Sequence, residues 1–321
     1  MTEQEGAAGG ADLFQAMPFP QIVAMLETLD EPPSLGTIDR AELVGRFPEF
    51  ASVDARDVTI DGPHGEVPGR VYRRAGATDV TGAGFVWVHG GAFIGGDLDM
   101  PEAHWVSLAL AARGITVVSL DYRKALRGVH YPVPSDDVLA GWCWAAAHAG
   151  ELGVDPDRLH LGGASAGGNL VAGVAKRLRD GAGPLPASLV LVYPVVHAIL
   201  PPLSEELEAT LAADAAATTA AAETFRDMAR QYAGSDTALD DPYAFAANGD
   251  VGRQPPVLVL DSEADFLRAS GEAYATALAA AGVAVTVVTE PGTSHGHVNG
   301  PDMSGALTSI ERLATWIEEQ R

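Results

Sequence analysis

The chain reads as an α/β protein built on one mostly parallel sheet. From about Asp57 onward, short apolar runs alternate with longer segments of helical character, the order expected of strands and helices in one layered unit. Most of these runs are apolar throughout, as strands covered on both faces must be. With 321 residues, 47% of them hydrophobic, the chain can bury a large core, and α/β folds often use this length in a single domain.

Residues 12–50 precede the first run and carry an amphipathic pattern in "LFQAMPFPQIVAMLETL", which suits helices that cover a core. Residues 66–73, "EVPGRVYR", alternate like an outer strand. The continuous runs "GFVWVHG", "GITVVSLDYR", "RLHLGG", "SLVLVYP", "PPVLVLDSE" and "AVTVVTEPG" follow as interior strands. Helices are expected between them at 101–112, 135–150, 166–180, 271–281 and 303–319. Residues 195–247 are far more chain than a crossover needs and read as a second covering segment, with "EELEATLAADAAATTAAAETF" as an alanine-rich helix. The expected organisation is an N-terminal cap at 1–55, a core at 56–194, a cap insertion at 195–250 and the rest of the core at 251–321, in one structural domain.

Charge and cysteine content exclude several functions. Forty-three acidic residues against 20 basic ones leave a formal charge of −23, which repels phosphate backbones and anionic lipid head groups, so neither nucleic acid nor a membrane surface is expected as partner. Cys143 is the single cysteine, which forbids an intrachain disulfide and any zinc site built on two or four cysteines. The opening "MTEQEGAAGGADLF" lacks the basic and apolar regions of a signal peptide, and no run reaches a spanning length, so a cytoplasmic location is expected.

The chemistry centres on "GGASAGGNL". Gly163-Ala164-Ser165-Ala166-Gly167 matches G-x-S-x-G after an apolar strand and before a helical segment, the context of a nucleophile on a sharp strand-to-helix turn. Small residues two positions either side let strand and helix approach closely. The match by itself also fits an ordinary glycine-rich turn. A phosphate-cradling loop would need a lysine where Asn169 and Leu170 stand.

A serine nucleophile needs a base, an acid to orient the base, and donors for an oxyanion. Downstream, "DSEADFLRASGEAY" offers Asp261, Glu263 and Asp265 after one strand, and "PGTSHGHVNG" offers His295 and His297 after the next. Upstream, "VWVHGGAFIGGD" supplies a loop of small residues whose N–H groups can turn inward, and Ala166 adds its own N–H. Tyr122 and Arg123 in "LDYRK" suit bracing of that loop.

With "HGGAF", "DYR", "GASAGGNL", "DSEADFLRASGEAYA" and "HGH" in this order, the chain resembles the hormone-sensitive-lipase-like family of α/β-hydrolase carboxylesterases from about residue 55 to its end. The resemblance implies an α/β-hydrolase fold with a mostly parallel eight-stranded sheet, flanking helices and a helical cap. It implies Ser165 as nucleophile, His295 as base and Asp265, in "DFLR", as acid, with oxyanion donors from Gly91, Ala92 and Ala166. His89 then orders the loop. Three positions depart from the family pattern: Ala92 replaces the third glycine of HGGG, Ala164 replaces the Asp or Thr before the serine, and Ala269 replaces the second acid after the L-R pair. Each of the three triad positions is retained.

The implied function is a serine carboxylesterase for short- to medium-chain acyl esters, working through an acyl-enzyme without metal or organic cofactor. Phe14, Met17, Phe19 and Ile22, with Val196, Ile199, Leu200 and Leu203, are candidates to line a small apolar pocket, and core packing accounts for them equally well. Amidase, lactonase or carbamate hydrolysis would use the same triad. A non-catalytic small-molecule receptor on this fold, as the plant hormone receptors of the family resemble, characteristically loses the histidine that stands here as His295. The partner is a small-molecule ester; family members often form homodimers, and no residue of this chain marks one.

Overall fold

The computed structural model describes residues 17–29, 34–76, 82–212 and 215–320. Eight strands form one sheet: β1 (Val53–Gly62), β2 (Gly65–Arg74), β3 (Gly82–Val88), β4 (Thr116–Leu120), β5 (Val154–Ala164), β6 (Leu189–Val192), β7 (Val257–Ala264) and β8 (Val285–Ser294). Their spatial order is β1-β2-β4-β3-β5-β6-β7-β8, and every pair from β4 to β8 is parallel. β2 runs antiparallel to both of its neighbours, β1 and β4.

The helices are α1 (Phe19–Leu26), α2 (Arg40–Arg46), α3 (Pro101–Ala112), α4 (Val133–Ala147), α5 (Ala149–Leu152), α6 (Ala166–Arg177), α7 (Glu205–Leu211), α8 (Ala215–Ala233), α9 (Asp236–Leu239), α10 (Arg268–Ala280) and α11 (Ala306–Glu319). The five core helices expected from periodicity are α3, α4, α6, α10 and α11, each within a few residues of its expected bounds. Within the alanine-rich stretch the described residues form α7 and α8.

The interior strands are apolar throughout because the sheet has a core on each face. Along β3, Val86 and Val88 point into one cluster while Phe85 and Trp87 point into the other. The same alternation runs through β6 and β7, where Leu189, Leu191, Val257 and Val259 face one side and Val190, Val192, Leu258 and Leu260 the other. Helices α4, α6 and α10 cover the first face, and α3 and α11 the second. The covering helices α1 and α8 join the first cluster through Phe19, Ile22, Val23 and Leu26, and through Phe225, Met228 and Tyr232.

One strand escapes the periodicity reading. β1 carries Asp54, Arg56, Asp57, Thr59 and Asp61, and much of it faces solvent, so it shows no apolar run. It pairs along its whole length with β2. The 66–73 segment is therefore not the outermost strand, since β1 covers its free edge, and the sheet begins at Val53. Among the described residues, no helix is long and apolar enough to cross a membrane.

Candidate active site

The site residues sit where the parallel strands end. Ser165 follows β5, Asp265 follows β7, His295 follows β8, and the His89–Gly90–Gly91 loop follows β3. Loops at the carboxyl ends of adjacent parallel strands converge, which is the usual ligand-binding edge of such sheets.

Ser165 is held at φ 52°, ψ −117°, outside the helical region and in a range that side-chain-bearing residues rarely adopt. Two glycines make that turn feasible. A Cβ on Gly163 would stand 2.6 Å from the Gly167 backbone, and one on Gly167 would stand 2.2 Å from the Val88 carbonyl oxygen. The Ser165 N–H donates to Val192 O at 2.9 Å, which ties the turn to β6. The strain expected from the motif is thus present, with its cause in backbone contacts on both sides.

Ser165 Oγ lies 3.0 Å from His295 Nε2, and His295 Nδ1 lies 2.6 Å from Asp265 Oδ2. Asp265 is buried, and its other oxygen accepts from Leu267 N–H at 2.9 Å, which leaves Oδ2 aimed at the imidazole. Burial works to lower the His295 pKa, but the Asp265 carboxylate and, further away, that of Glu102 outweigh it and hold the imidazole above its ordinary value. Of the three carboxylates that spacing leaves open, Asp265 is the one that meets His295 among the described residues. Asp261 is buried against Gly271 with neither oxygen hydrogen-bonded among the described residues, and burial beside Asp265 pushes its carboxyl well up. Glu263 instead accepts from Gly292 N–H at 2.8 Å.

Of the two candidate bases, His297 is fully committed elsewhere. Its ring nitrogens meet Ser262 Oγ and Ser309 Oγ, each at 2.8 Å, and burial lowers its pKa to about 4. His104 bonds Tyr72 Oη and His160 bonds Ser188 Oγ, so both are packing residues.

The loop after β3 runs directly over Ser165, since a Cβ on Gly90 would come within 3.1 Å of Ser165 Cβ. Gly91 at φ 112° and Ala92 at φ 54° turn the chain sharply. No described residue accepts from the N–H of Gly91 or Ala92, and Ala166 N–H, at the first turn of α6, has no intrahelical acceptor. The Gly90 carbonyl is held by Tyr122 Oη at 3.0 Å and by His89 Nδ1 at 2.7 Å. Because a peptide unit is planar with its C=O and N–H opposed, clamping Gly90 O also aims Gly91 N–H. His89 and Tyr122 therefore do what was expected of loop-ordering residues. Arg123 pairs instead with buried Asp137.

Sequence reasoning passes over Glu102, Tyr193, Asn299 and Leu35. Glu102 is an acid in the first turn of the apolar helix "PEAHWVSLALAA", where the helix dipole alone would explain it. It is 2% exposed and bonds Gly90 N–H, Tyr193 Oη and Asn299 Nδ2. Leu35 lies against the loop after β3, 3.1 Å from where a Cβ on Gly91 or Gly95 would stand. The expected pocket residues scatter: Phe19, Ile22 and Val196 are buried in the core, Met17 and Leu200 pack half-buried against it, Leu203 is half-buried, and Ile199 is 83% exposed. Phe14 lies outside the described residues. Among the described residues no cluster of His, Cys, Asp and Glu could hold a metal ion.

Comparison with known proteins agrees with this fold. The profile of the α/β-hydrolase fold family matches residues 85–299. Esterase LipI of Mycobacterium tuberculosis is 34% identical over 298 residues, covering 88% of this chain and 90% of its own. An ethyl acetate hydrolase of Pseudomonas putida is 32% identical over 262 residues, 79% of this chain and 78% of its own. The hyperthermophilic esterase of Pyrobaculum calidifontis superposes with a TM-score of 0.75 at 27% identity, over 96% of this chain and 95% of that one. By its sequence and by its fold, the chain belongs to the hormone-sensitive-lipase-like family of α/β-hydrolases.

Proposed function

We propose that Ser165, His295 and Asp265 form the catalytic triad of a serine carboxylesterase. The chain is a carboxylic ester hydrolase, as its relatives' names and its fold indicate. The observation that carries the triad assignment is the unbroken line from Asp265 Oδ2 through His295 to Ser165 Oγ, at 2.6 and 3.0 Å, beside a loop with two undonated N–H groups.

The geometry supports a two-step acyl transfer. His295 Nε2 takes the Ser165 hydroxyl proton as Oγ attacks the ester carbonyl. The carbonyl oxygen, now negative, is received by the N–H groups of Gly91, Ala92 and Ala166, each donor contributing on the order of 3 kcal/mol to the transition state. Collapse breaks the ester C–O bond, and the alcohol leaves with the proton from His295. Water then attacks the acyl-enzyme with His295 again as base, releasing the acid and restoring Ser165. Asp265 keeps the Nδ1–H tautomer and stabilises the imidazolium without taking the proton.

Short- to medium-chain acyl esters are the substrates this reading favours. Support comes from covering side chains that pack onto the core: Phe19, Val196 and Tyr232 are all buried, and Leu35 rests on the loop after β3. Met17 and Leu200, half-buried against the core beneath the covering segments, are the members of the expected pocket set that this reading keeps. A cytoplasmic location is part of the reading, supported by a single cysteine that cannot form an intrachain disulfide. A homodimer is compatible with it and is measured by light scattering.

Hydrolysis of p-nitrophenyl acetate, butyrate and decanoate by the wild type and Ser165→Ala tests the proposal. Acetate and butyrate should be cleaved faster than decanoate, and Ser165→Ala should lower kcat by roughly a millionfold. A folded Ser165→Ala that keeps its activity overturns the nucleophile, and faster cleavage of long-chain emulsions overturns the substrate class.

A further inference from the structure

We propose that Glu102 is a positioning residue that locks three catalytic loops to one another and sets the charge field around the base. This inference rests on the triad reading and extends it.

The geometry is a hub. Glu102 Oε2 accepts from Gly90 N–H at 2.5 Å, while Oε1 accepts from Tyr193 Oη at 2.5 Å and from Asn299 Nδ2 at 3.3 Å. These three donors come from the loops after β3, β6 and β8. Each loop carries a working atom one step further on. Gly90 precedes the Gly91 N–H; the Tyr193 ring stands edge-on to His295 with centroids 4.8 Å apart; and Asn299 Nδ2 also donates to the carbonyl of Gly296, the residue after His295. One side chain thus couples the oxyanion loop to the base, although the two lie on strands separated in the sheet by β5, β6 and β7.

The chemistry of the hub calls for a carboxylate. All three partners donate, and only an acceptor-only group satisfies them; a glutamine would turn its own N–H toward one of them. No Lys or Arg pairs with Glu102 among the described residues. A buried carboxylate compensated only by neutral donors is costly to keep for packing alone. Acting on His295 through the field rather than by contact, however, it favours the imidazolium that forms as Ser165 gives up its proton. The groups around His295 are Asp265, Glu102, the Tyr193 ring and His297, and His297 stays neutral at ordinary pH, so the two carboxylates set the local field.

The test is steady-state hydrolysis of p-nitrophenyl butyrate across pH by the full-length wild type, Glu102→Gln, Glu102→Asp and Tyr193→Phe, with Ser165→Ala in parallel. Glu102→Gln should lower kcat by roughly 100-fold with KM changed little, the loss typical of a misplaced catalytic constellation. The acid limb of its kcat/KM profile should move to lower pH, because a carboxylate that holds His295 up has gone. Glu102→Asp should restore the limb but not the full kcat, since charge returns without reach. Tyr193→Phe, which keeps the ring and the charge, should lose less and leave the limb in place.

A Glu102→Gln enzyme with near wild-type kcat and an unmoved acid limb overturns the proposal. So does a loss confined to KM. Should Glu102→Gln fail to fold, Glu102→Asp decides the matter: wild-type kcat in that variant overturns the hub, and reduced kcat with the limb retained supports it. An active Ser165→Ala would instead sink the triad reading, so the two failures are distinguishable.

Discussion

The turn that carries Ser165 and the cap above it are held in different ways. The turn is enclosed by backbone: Val88 O, His89 O and the Gly167 main chain leave no room for a single Cβ at Gly163 or Gly167. The cap is held by side chains. Tyr232 of α8 stacks on Phe93 of the loop after β3 at 4.1 Å, Phe19 and Ile22 of α1 enter the core, and Glu206 of α7, 65% exposed, pairs with Arg268 at 2.6 Å beside the loop that carries Asp265. Backbone walls cannot be exchanged one residue at a time, whereas side-chain contacts can. Such a division lets the chemistry stay constant while substrate preference is free to vary.

The sharpest way to test the catalytic half is a change that leaves its backbone alone. Asp265→Asn keeps the shape of the acid but removes its charge and allows the wrong imidazole tautomer, so kcat should drop by roughly 10⁴-fold in a protein of unchanged melting behaviour. The same comparison has a pH signature. His295 must be neutral to accept the serine proton, and its pKa lies above the ordinary 6.5, so wild-type kcat/KM should fall as pH drops through a value above 6.5. In Asp265→Asn, the residual activity should show that limb at lower pH. A limb that stays in place would mean that Asp265 does not set the charge of His295.

Gly167→Ala probes the wall itself. Its added methyl would meet the Val88 carbonyl oxygen at 2.2 Å, a contact that only movement of β3 or α6 can relieve. Overpacking against rigid backbone should cost about 3 kcal/mol of stability and most of the activity, read by thermal unfolding and ester hydrolysis. A fully active, equally stable Gly167→Ala would erase the contrast between turn and cap.

The cap contact should give the smallest effect. Glu206→Gln removes an ion pair whose acid is exposed, so the melting temperature should change little. Its measurable consequence should be a shift in the ratio of butyrate to decanoate hydrolysis, with acetate turnover held within about twofold, as expected of a surface change away from the reacting atoms. A large drop on all three esters would show that the cap holds the acid loop as firmly as the glycines hold the serine.

The legible part of the site is the part that depends on local backbone. Ser165 stands out because a strained turn between strand and helix admits only small neighbours, and that requirement is local in the chain. His295 and Asp265 could be shortlisted because acid and base must follow later strands. Choosing Asp265 over Asp261 or Glu263 needed the family resemblance, for all three lie within five residues of one another. The structure supplies the physical reason. Asp261 is still within β7 and faces Gly271, whereas Asp265 lies just past the strand end with one oxygen fixed by Leu267 N–H.

Other features could be found only in three dimensions. β1 shows no apolar run because an edge strand with one wet face needs none. Glu102 looks like an ordinary helix-start acid until the loops carrying Gly90, Tyr193 and Asn299 are seen to meet on it. Ile199 and Val196 look alike in the sequence, yet one is exposed and the other lies in the core. The sequence by itself determined the α/β architecture, the nucleophile turn and the class of chemistry, because strand burial and turn geometry place demands on neighbouring residue types. Tertiary structure alone decided that Glu102 joins the loops carrying Gly90, Tyr193 and Asn299, and which covering side chains are buried, because those contacts join residues tens to hundreds of positions apart and local composition carries no record of them.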